Sequence, residues 1–266
     1  MYDRYTINNK STTIRQVITL ISVVAAFGTN VLANVRPMNG LTIGQISNRF
    51  FSDILITPAN YAFAIWGLIY LGLIGFAVYQ ALPGQKNNSL CRQIGYKIAI
   101  ASISQIIWVF CFLYRQYILS FVAMLGILLP LIGAYLCLPN SGSPTGQRWF
   151  VCRPISIYLS WIALATILNG SIALTASGWT GGGISPQVWT VIMLLVAATV
   201  AHLVSIPRLD FAYAGVFIWG AIAIAVRNAS ELIISGTAIG LSLALTILLL
   251  SFSFYAPMEN RRDFNN

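Results

Sequence analysis

Charge is what this sequence has least of. Only 8% of its 266 residues are charged and six are acidic, against 58% that are hydrophobic. A soluble globular chain carries roughly 25% charged residues, so this deficit excludes soluble enzymes, nucleic-acid readers and disordered scaffolds together. The mean hydropathy of +0.78 says the same. Histidine is nearly absent, and the single His202 cannot supply a His-cluster metal site or a bis-histidine haem. Four cysteines, Cys91, Cys111, Cys137 and Cys152, lie far apart with no C-x-x-C spacing, so neither a zinc site nor a disulfide framework is indicated. No Ser-His-Asp set and no H-E-x-x-H motif is present, and the six acidic residues fall at the termini or in loops. Proton transfer and nucleophilic attack need a positioned acid, base or activated nucleophile, so an enzyme is not expected, nor a covalent or metal cofactor.

What the chain has is long apolar runs. Crossing about 30 Å of hydrocarbon takes roughly 20 apolar residues. Eight such windows occur, at 15–33, 60–80, 96–114, 118–138, 154–175, 187–206, 210–226 and 232–254. Unsatisfied backbone groups in lipid are costly and no ten-residue barrel alternation is present, so the expected fold is an all-α polytopic membrane protein with about eight transmembrane helices. The seventh window is the shortest and ends at Arg227, which can pair with Glu231 one turn on or snorkel to the headgroups. The first window is expected to stay as a span, although Val31-Leu32-Ala33 resembles a cleavage site, because removing it would spoil the charge alternation described next.

The net charge of +9 suits a membrane surface better than a nucleic acid here. Eight spans place both termini on one side. Of the fifteen Lys and Arg, only Arg36, Arg49, Arg115 and Arg227 lie in connections on the opposite side. The positive-inside rule therefore puts both termini in the cytoplasm. Apolar helices of this length suit a bacterial cytoplasmic (inner) membrane over an outer one.

Most connections are too short to hold a domain. The exception is the first outer loop, 34–59, with Pro37, Gly40, Gly44, an amphipathic stretch from Ile46 to Ile56, and Pro58. Loops of this length in compact proteins are functional lids or disordered, and its pattern of Phe50, Phe51, Ile54 and Ile56 favours a lid on the bundle mouth. The glycine-rich turn Gly178 to Gly183 is the best internal boundary. It divides the chain into 1–177, a five-helix bundle with its lid, and 178–266, a three-helix extension. No inverted repeat is visible. Gly236-x-x-x-Gly240 permits close helix approach, within the chain or across a homodimer.

Polar side chains inside the spans are few, and they keep company with aromatic rings. Phe63, Trp66 and Tyr70 in the second span fall at spacings that share one helical face. Gln105, Trp108 and Phe112 repeat the pattern in the third, and Tyr158, Trp161, Ala165 and Asn169 form a stripe in the fifth. If the three faces converge, they make a deep, mainly apolar site with a few hydrogen-bonding groups, suited to a flat aromatic ligand. The plain alternative is interfacial aromatics and helix-joining amides.

The segment from Tyr158 to Asn169, YLSWIALATILN, resembles the fifth-helix signature of the TspO/MBR family, the tryptophan-rich sensory or translocator proteins. Pro58, Phe63, Trp66 and Tyr70 resemble the family's proline-led second helix, with one residue fewer between Phe and Trp. Gln105, Trp108 and Phe112 resemble its third-helix Asn-x-x-Trp followed by Phe, with Gln in place of Asn, and Arg115-Gln116 its next turn. The resemblance covers residues 15 to about 175 and implies a five-helix bundle whose interior binds porphyrins and other hydrophobic aromatic molecules. It implies a ligand site of Trp66, Tyr70, Gln105, Trp108, Trp161 and Ala165, where tryptophan rings stack on the ligand and Ala165 leaves room for its edge. Pro58, Phe63, Phe112, Tyr158 and Asn169 are the supporting residues, Asn169 as a tie between helices. Two family features are absent. The tryptophan between prolines before the second helix is replaced by Ile56-Thr57-Pro58-Ala59-Asn60-Tyr61, and Gly170-Ser171-Ile172-Ala173 stands where animal members carry a sterol-recognition pattern.

The expected function is thus binding of a porphyrin- or tetrapyrrole-like ligand within the bundle, for sensing, sequestration or transport. The expected partners are the lipid bilayer and a hydrophobic small molecule, with no nucleic acid. The alternatives are a secondary transporter of a small solute, which the scarcity of charge in the spans disfavours, and a structural subunit of a membrane complex.

Overall fold

The computed structural model describes residues 2–140 and 142–262. All regular structure among them is helical: α1 (Tyr2–Val35), α2 (Ile43–Phe50), α3 (Ile65–Ala81), α4 (Ser89–Leu113), α5 (Tyr117–Leu136), α6 (Thr145–Gln147), α7 (Arg153–Ala176), α8 (Pro186–Ser205), α9 (Phe211–Arg227) and α10 (Leu232–Arg262). A 3-10 turn, Asn60–Ala64, leads into α3, and a π-helical turn, Arg148–Cys152, joins α6 to α7.

Among the described residues, seven helices are long and apolar enough to cross a membrane. The eighth expected span is a real helix, Phe211–Arg227, but a shorter one. Its 17 residues rise about 26 Å at 1.5 Å each, a few ångströms less than the hydrocarbon core. Large apolar side chains such as Leu71, Leu129, Leu136 and Leu203 are mostly exposed on the helices. Water would penalise such surfaces and lipid does not, so the chain is an integral multi-pass membrane protein.

The chain forms two compact units: Met1–Ser52 with Phe63–Trp179, and Asp53–Ala62 with Thr180–Asn266. In the first unit five long helices close a ring, with α1 packed on α4, α4 on α5, α5 on α7, α7 on α3, and α3 back on α1. Lipid tails are as apolar as leucine, so small residues and polar ties replace the hydrophobic effect at such seams. A Cβ on Gly95 of α4 would stand 2.9 Å from Arg15 Cδ of α1, and one on Gly72 of α3 would stand 3.0 Å from Pro154 Cβ of α7. Gly126 and Gly133 of α5 face Ser104 and Lys97 of α4 in the same way, and Gly170 of α7 faces Phe121 of α5. The α1–α3 seam uses amides instead: Gln16 Nε2 donates to the Gln80 carbonyl and Gln80 Nε2 to the Gln16 carbonyl.

The first outer loop divides between the units. Its amphipathic part folds as α2, started by a capping box in which Gln45 N donates to Thr42 Oγ1 and Thr42 N to Gln45 Oε1. Ile46 is buried beneath it, Phe51 meets Tyr117 edge to face at 4.9 Å, and Asn39 Nδ2 donates to the Leu113 carbonyl. This half of the loop therefore lies over the α4–α5 turn. The other half, Asp53–Ala62, is bonded to α9 in the second unit. Ala59 N donates to the Ala223 carbonyl at 3.0 Å, Trp219 Nε1 to the Ala62 carbonyl at 3.1 Å, and Asn228 Nδ2 to the Leu55 carbonyl at 2.8 Å. Within that unit α9 and α10, α10 and α8, and α8 and α9 pack pairwise.

Candidate functional site

Each helix of the ring carries one side toward each neighbour, and what falls between those sides faces the ring's interior. On α4, Gly95 marks the α1 side and Lys97 and Ser104 the α5 side. Successive residues turn by roughly 100°, so Gln105 lies roughly 80° from Gly95 in one direction and roughly 80–100° from Lys97 and Ser104 in the other. Of the two arcs between these seams Gln105 lies on the buried one, whereas Ile103 on the opposite arc is 48% exposed, so Gln105 faces inward. It is 1% exposed, and neither its Nε2 nor its Oε1 has a hydrogen-bond partner.

On α7, Trp161 meets Phe63 at the entry to α3, ring centroids 6.0 Å apart and perpendicular. Asn169 points to α5, its Nδ2 donating to Ser120 Oγ at 3.2 Å while that hydroxyl donates to the Tyr117 carbonyl at 2.7 Å. Ala165 is half-buried and falls midway in angle between Trp161 and Asn169. Depth follows from α5, which runs antiparallel to both α4 and α7. Ser120 meets Asn169, and six residues along α5 Gly126 meets Ser104, which brings Gln105 and Ala165 to about the same level.

Beside the Phe63–Trp161 pair, the rings around the site fall into two groups. Tyr70 of α3 is buried, stacked with Trp66 at 5.6 Å and tilted against Phe27 of α1 at 5.2 Å, and Trp66 in turn meets Tyr158 of α7 edge to face at 6.2 Å. The Tyr70 hydroxyl is occupied, donating to the Ala26 carbonyl at 3.3 Å. The second group is a ladder from Trp108 through Phe112 and Tyr117 to Phe51, with centroids 5.4, 5.6 and 4.9 Å apart. Trp108 and Trp161 are both buried, and the indole N–H of each lacks an acceptor.

These orphan groups are the unusual feature. A buried polar group without a partner costs about 1–3 kcal/mol. Gln105, Trp108 and Trp161 together leave three nitrogens and one oxygen unmatched. Native proteins keep few such groups, and each calls for an explanation. The free donors and the free acceptor can hydrogen-bond the polar edge of an aromatic molecule.

The structure therefore brings ten of the eleven sequence-derived residues into one unit. Pro58 is the exception; it is buried in the Asp53–Ala62 segment of the second unit. Two residues of the site carry little signal in sequence. Phe27 stands on α1, which has no tryptophan to mark an aromatic face. Ser102, buried one turn before Gln105 with its hydroxyl unmatched, looks in sequence like any small residue at a helix seam. Among the described residues no group of three or more His, Cys, Asp or Glu is placed to hold a metal ion, and the four cysteines are free.

Compared with known families, the chain matches the model of the TSPO-like proteins over residues 16–251. It belongs to the TSPO-like family. The match runs through α8 and α9 and well into α10, so the helices beyond the five-helix ring lie inside the TSPO-like pattern, although the motifs legible by eye stop near residue 175. No curated protein and no solved structure matches the chain.

Proposed function

We propose that this TSPO-like chain binds a hydrophobic aromatic ligand of the porphyrin or tetrapyrrole class inside the α1–α3–α7–α5–α4 ring, for sensing, sequestration or transport. The supporting observation is the set of buried polar atoms on Gln105, Trp108 and Trp161 that no protein group matches, set among aromatic rings. Pyrrole nitrogens and carboxylate or carbonyl edges offer the complementary donors and acceptors, and a macrocycle offers a face for the tryptophans. In this reading Trp66, Tyr70, Trp108 and Trp161 hold the ligand's faces and Gln105 its polar edge. Ala165, at the level of Gln105, leaves the space a ring edge needs.

The membrane is a bacterial cytoplasmic one, with both termini in the cytoplasm. The charge alternation requires α9 to cross despite its length, and the snorkelling Arg227 at its end makes up part of the shortfall. Membrane-impermeant labelling of single cysteines near each terminus checks this, and labelling of either from outside would reverse it.

The binding test is tryptophan fluorescence quenching of the detergent-solubilised protein titrated with protoporphyrin IX, beside Ala165→Phe. The reading expects saturable quenching in the native chain and a loss of affinity in the variant. Non-saturating, identical curves would reject it.

A further inference from the structure

The five-helix ring has almost nothing with which to balance its cations. Residues 11–52 and 63–179 contain no Asp or Glu. Yet Arg15, Lys86, Arg92, Lys97, Arg148 and Arg153 stand toward one end of it. That common end follows from the contacts already described: Gln16 with Gln80, Arg15 with Gly95, and Lys97 with Gly133. Tyr79 also stacks on Phe150 there at 5.6 Å.

Five of these six cations are exposed or half-buried, where headgroups and counter-ions reach them. Arg15 is different. It is 3% exposed, and its Nε, Nη1 and Nη2 are all buried without a hydrogen-bond partner. Its aliphatic stem lies on Gly95, where a Cβ would come within 2.9 Å of Cδ and 3.3 Å of Nε, so the glycine makes the groove that the side chain follows. Around the stem, Thr19 Oγ1 bridges the Arg15 and Gly95 carbonyls, at 2.9 and 3.1 Å, and locks the two helices at this level. Cys91, Arg92 and Tyr96 of α4 lie within electrostatic reach of the guanidinium, and none of the three carries a carboxylate. Asp3, on the same helix, is twelve residues away, about 18 Å along the axis.

A guanidinium is always charged and presents five donors in a planar fork that fits two oxygens of one oxyanion. Buried where no protein group accepts from it, the Arg15 fork has the geometry to receive an oxyanion rather than that of a satisfied structural cation. We infer that the α1–α4 seam at Arg15 is a seat for a phosphate group, which the fork grips from two oxygens. At this end of a membrane-spanning bundle the phosphate comes from an anionic phospholipid headgroup or from solution. The inference is independent of the ligand proposed for the ring interior.

The test uses the full-length protein, purified in detergent and stripped of lipid. Thermal unfolding and native mass spectrometry follow titration with phosphatidylglycerol, with phosphatidylcholine, and with inorganic phosphate alone at matched ionic strength. Arg15→Gln is compared with the native chain and with Arg148→Gln, which removes an exposed cation at the same end outside the Arg15 seat. The native chain and Arg148→Gln are expected to retain phosphatidylglycerol and gain in melting temperature. Arg15→Gln should bind it about ten- to a hundredfold more weakly, the worth of a charge-assisted pair. A full response to inorganic phosphate alone supports the seat with a soluble source, and a response confined to phosphatidylglycerol supports the lipid source. Equal responses in Arg15→Gln and the native chain overturn the inference. Should Arg15→Gln fail to fold, the native chain decides. With 15N-arginine, one Nε–H resonance should shift on adding phosphatidylglycerol or phosphate, and no shift with either overturns the inference.

Discussion

Replacing Gln105 with leucine separates a ligand-binding amide from a structural one. The amide is buried, and no protein group pairs with either of its polar atoms. Removing an unmatched group should not cost stability; at about 1–3 kcal/mol for a buried unsatisfied group, Gln105→Leu should stabilise the ligand-free chain. The volumes are close enough that overpacking subtracts less than about 1.5 kcal/mol. For a chain of this size each kcal/mol moves the midpoint by about 2–4 °C. Ligand binding should move the other way. Losing one or two hydrogen bonds from a dry site weakens affinity by about 1–3 kcal/mol, or roughly five- to 150-fold. Thermal unfolding in detergent reads the first effect and protoporphyrin IX titration the second. A variant that melts well below the native chain yet binds porphyrin equally would refute the reasoning, because Gln105 would then be a satisfied structural residue.

Three further outcomes follow from the seams. Gly72→Leu forces a side chain into Pro154 at 3.0 Å, and should destabilise the ring by about 1–3 kcal/mol in thermal unfolding, whereas the same change at Gly67, where a Cβ meets nothing within 4 Å, should not. Ser120→Ala and Asn169→Leu each break the α5–α7 tie, and a double-mutant cycle should return a coupling of about 0.5–2 kcal/mol, with strict additivity arguing against the bond. Trp219→Phe removes the donor to the Ala62 carbonyl. Amide exchange at Ala59 should quicken if Asp53–Ala62 is held by α9, and unchanged exchange would mean that Trp219 contributes nothing to that hold.

How far the sequence could be read depended on the kind of signal. Helices were legible because lipid leaves the backbone no alternative, and hydropathy alone located α1, α3, α4, α5, α7, α8 and α10. The aromatic spacings placed Trp66 beside Tyr70 and Trp108 beside Phe112, as the ring contacts have them. Asn169, read as a helix tie, bonds Ser120. What periodicity cannot carry is which helix is next to which. The Arg15–Gly95 packing and the ring order depend on where a missing Cβ lets two backbones approach, and a glycine in an apolar run gives no sign of its partner. The division of the first outer loop was hidden for a similar reason. It depends on carbonyls of Leu55 and Ala62 meeting donors on α9 more than 150 residues later, and a backbone carbonyl has no signature in sequence.

The most direct test of the account is the indole N–H spectrum of the native protein, 15N-labelled at its seven tryptophans, during titration with protoporphyrin IX. Trp189 and Trp219 already donate to the Gly181 and Ala62 carbonyls, whereas Trp108 and Trp161 donate to nothing. The account predicts that the Trp108 and Trp161 resonances move as the ligand accepts hydrogen bonds from them, while Trp189 and Trp219 stay in place. Unmoved Trp108 and Trp161 resonances at saturating porphyrin would contradict it.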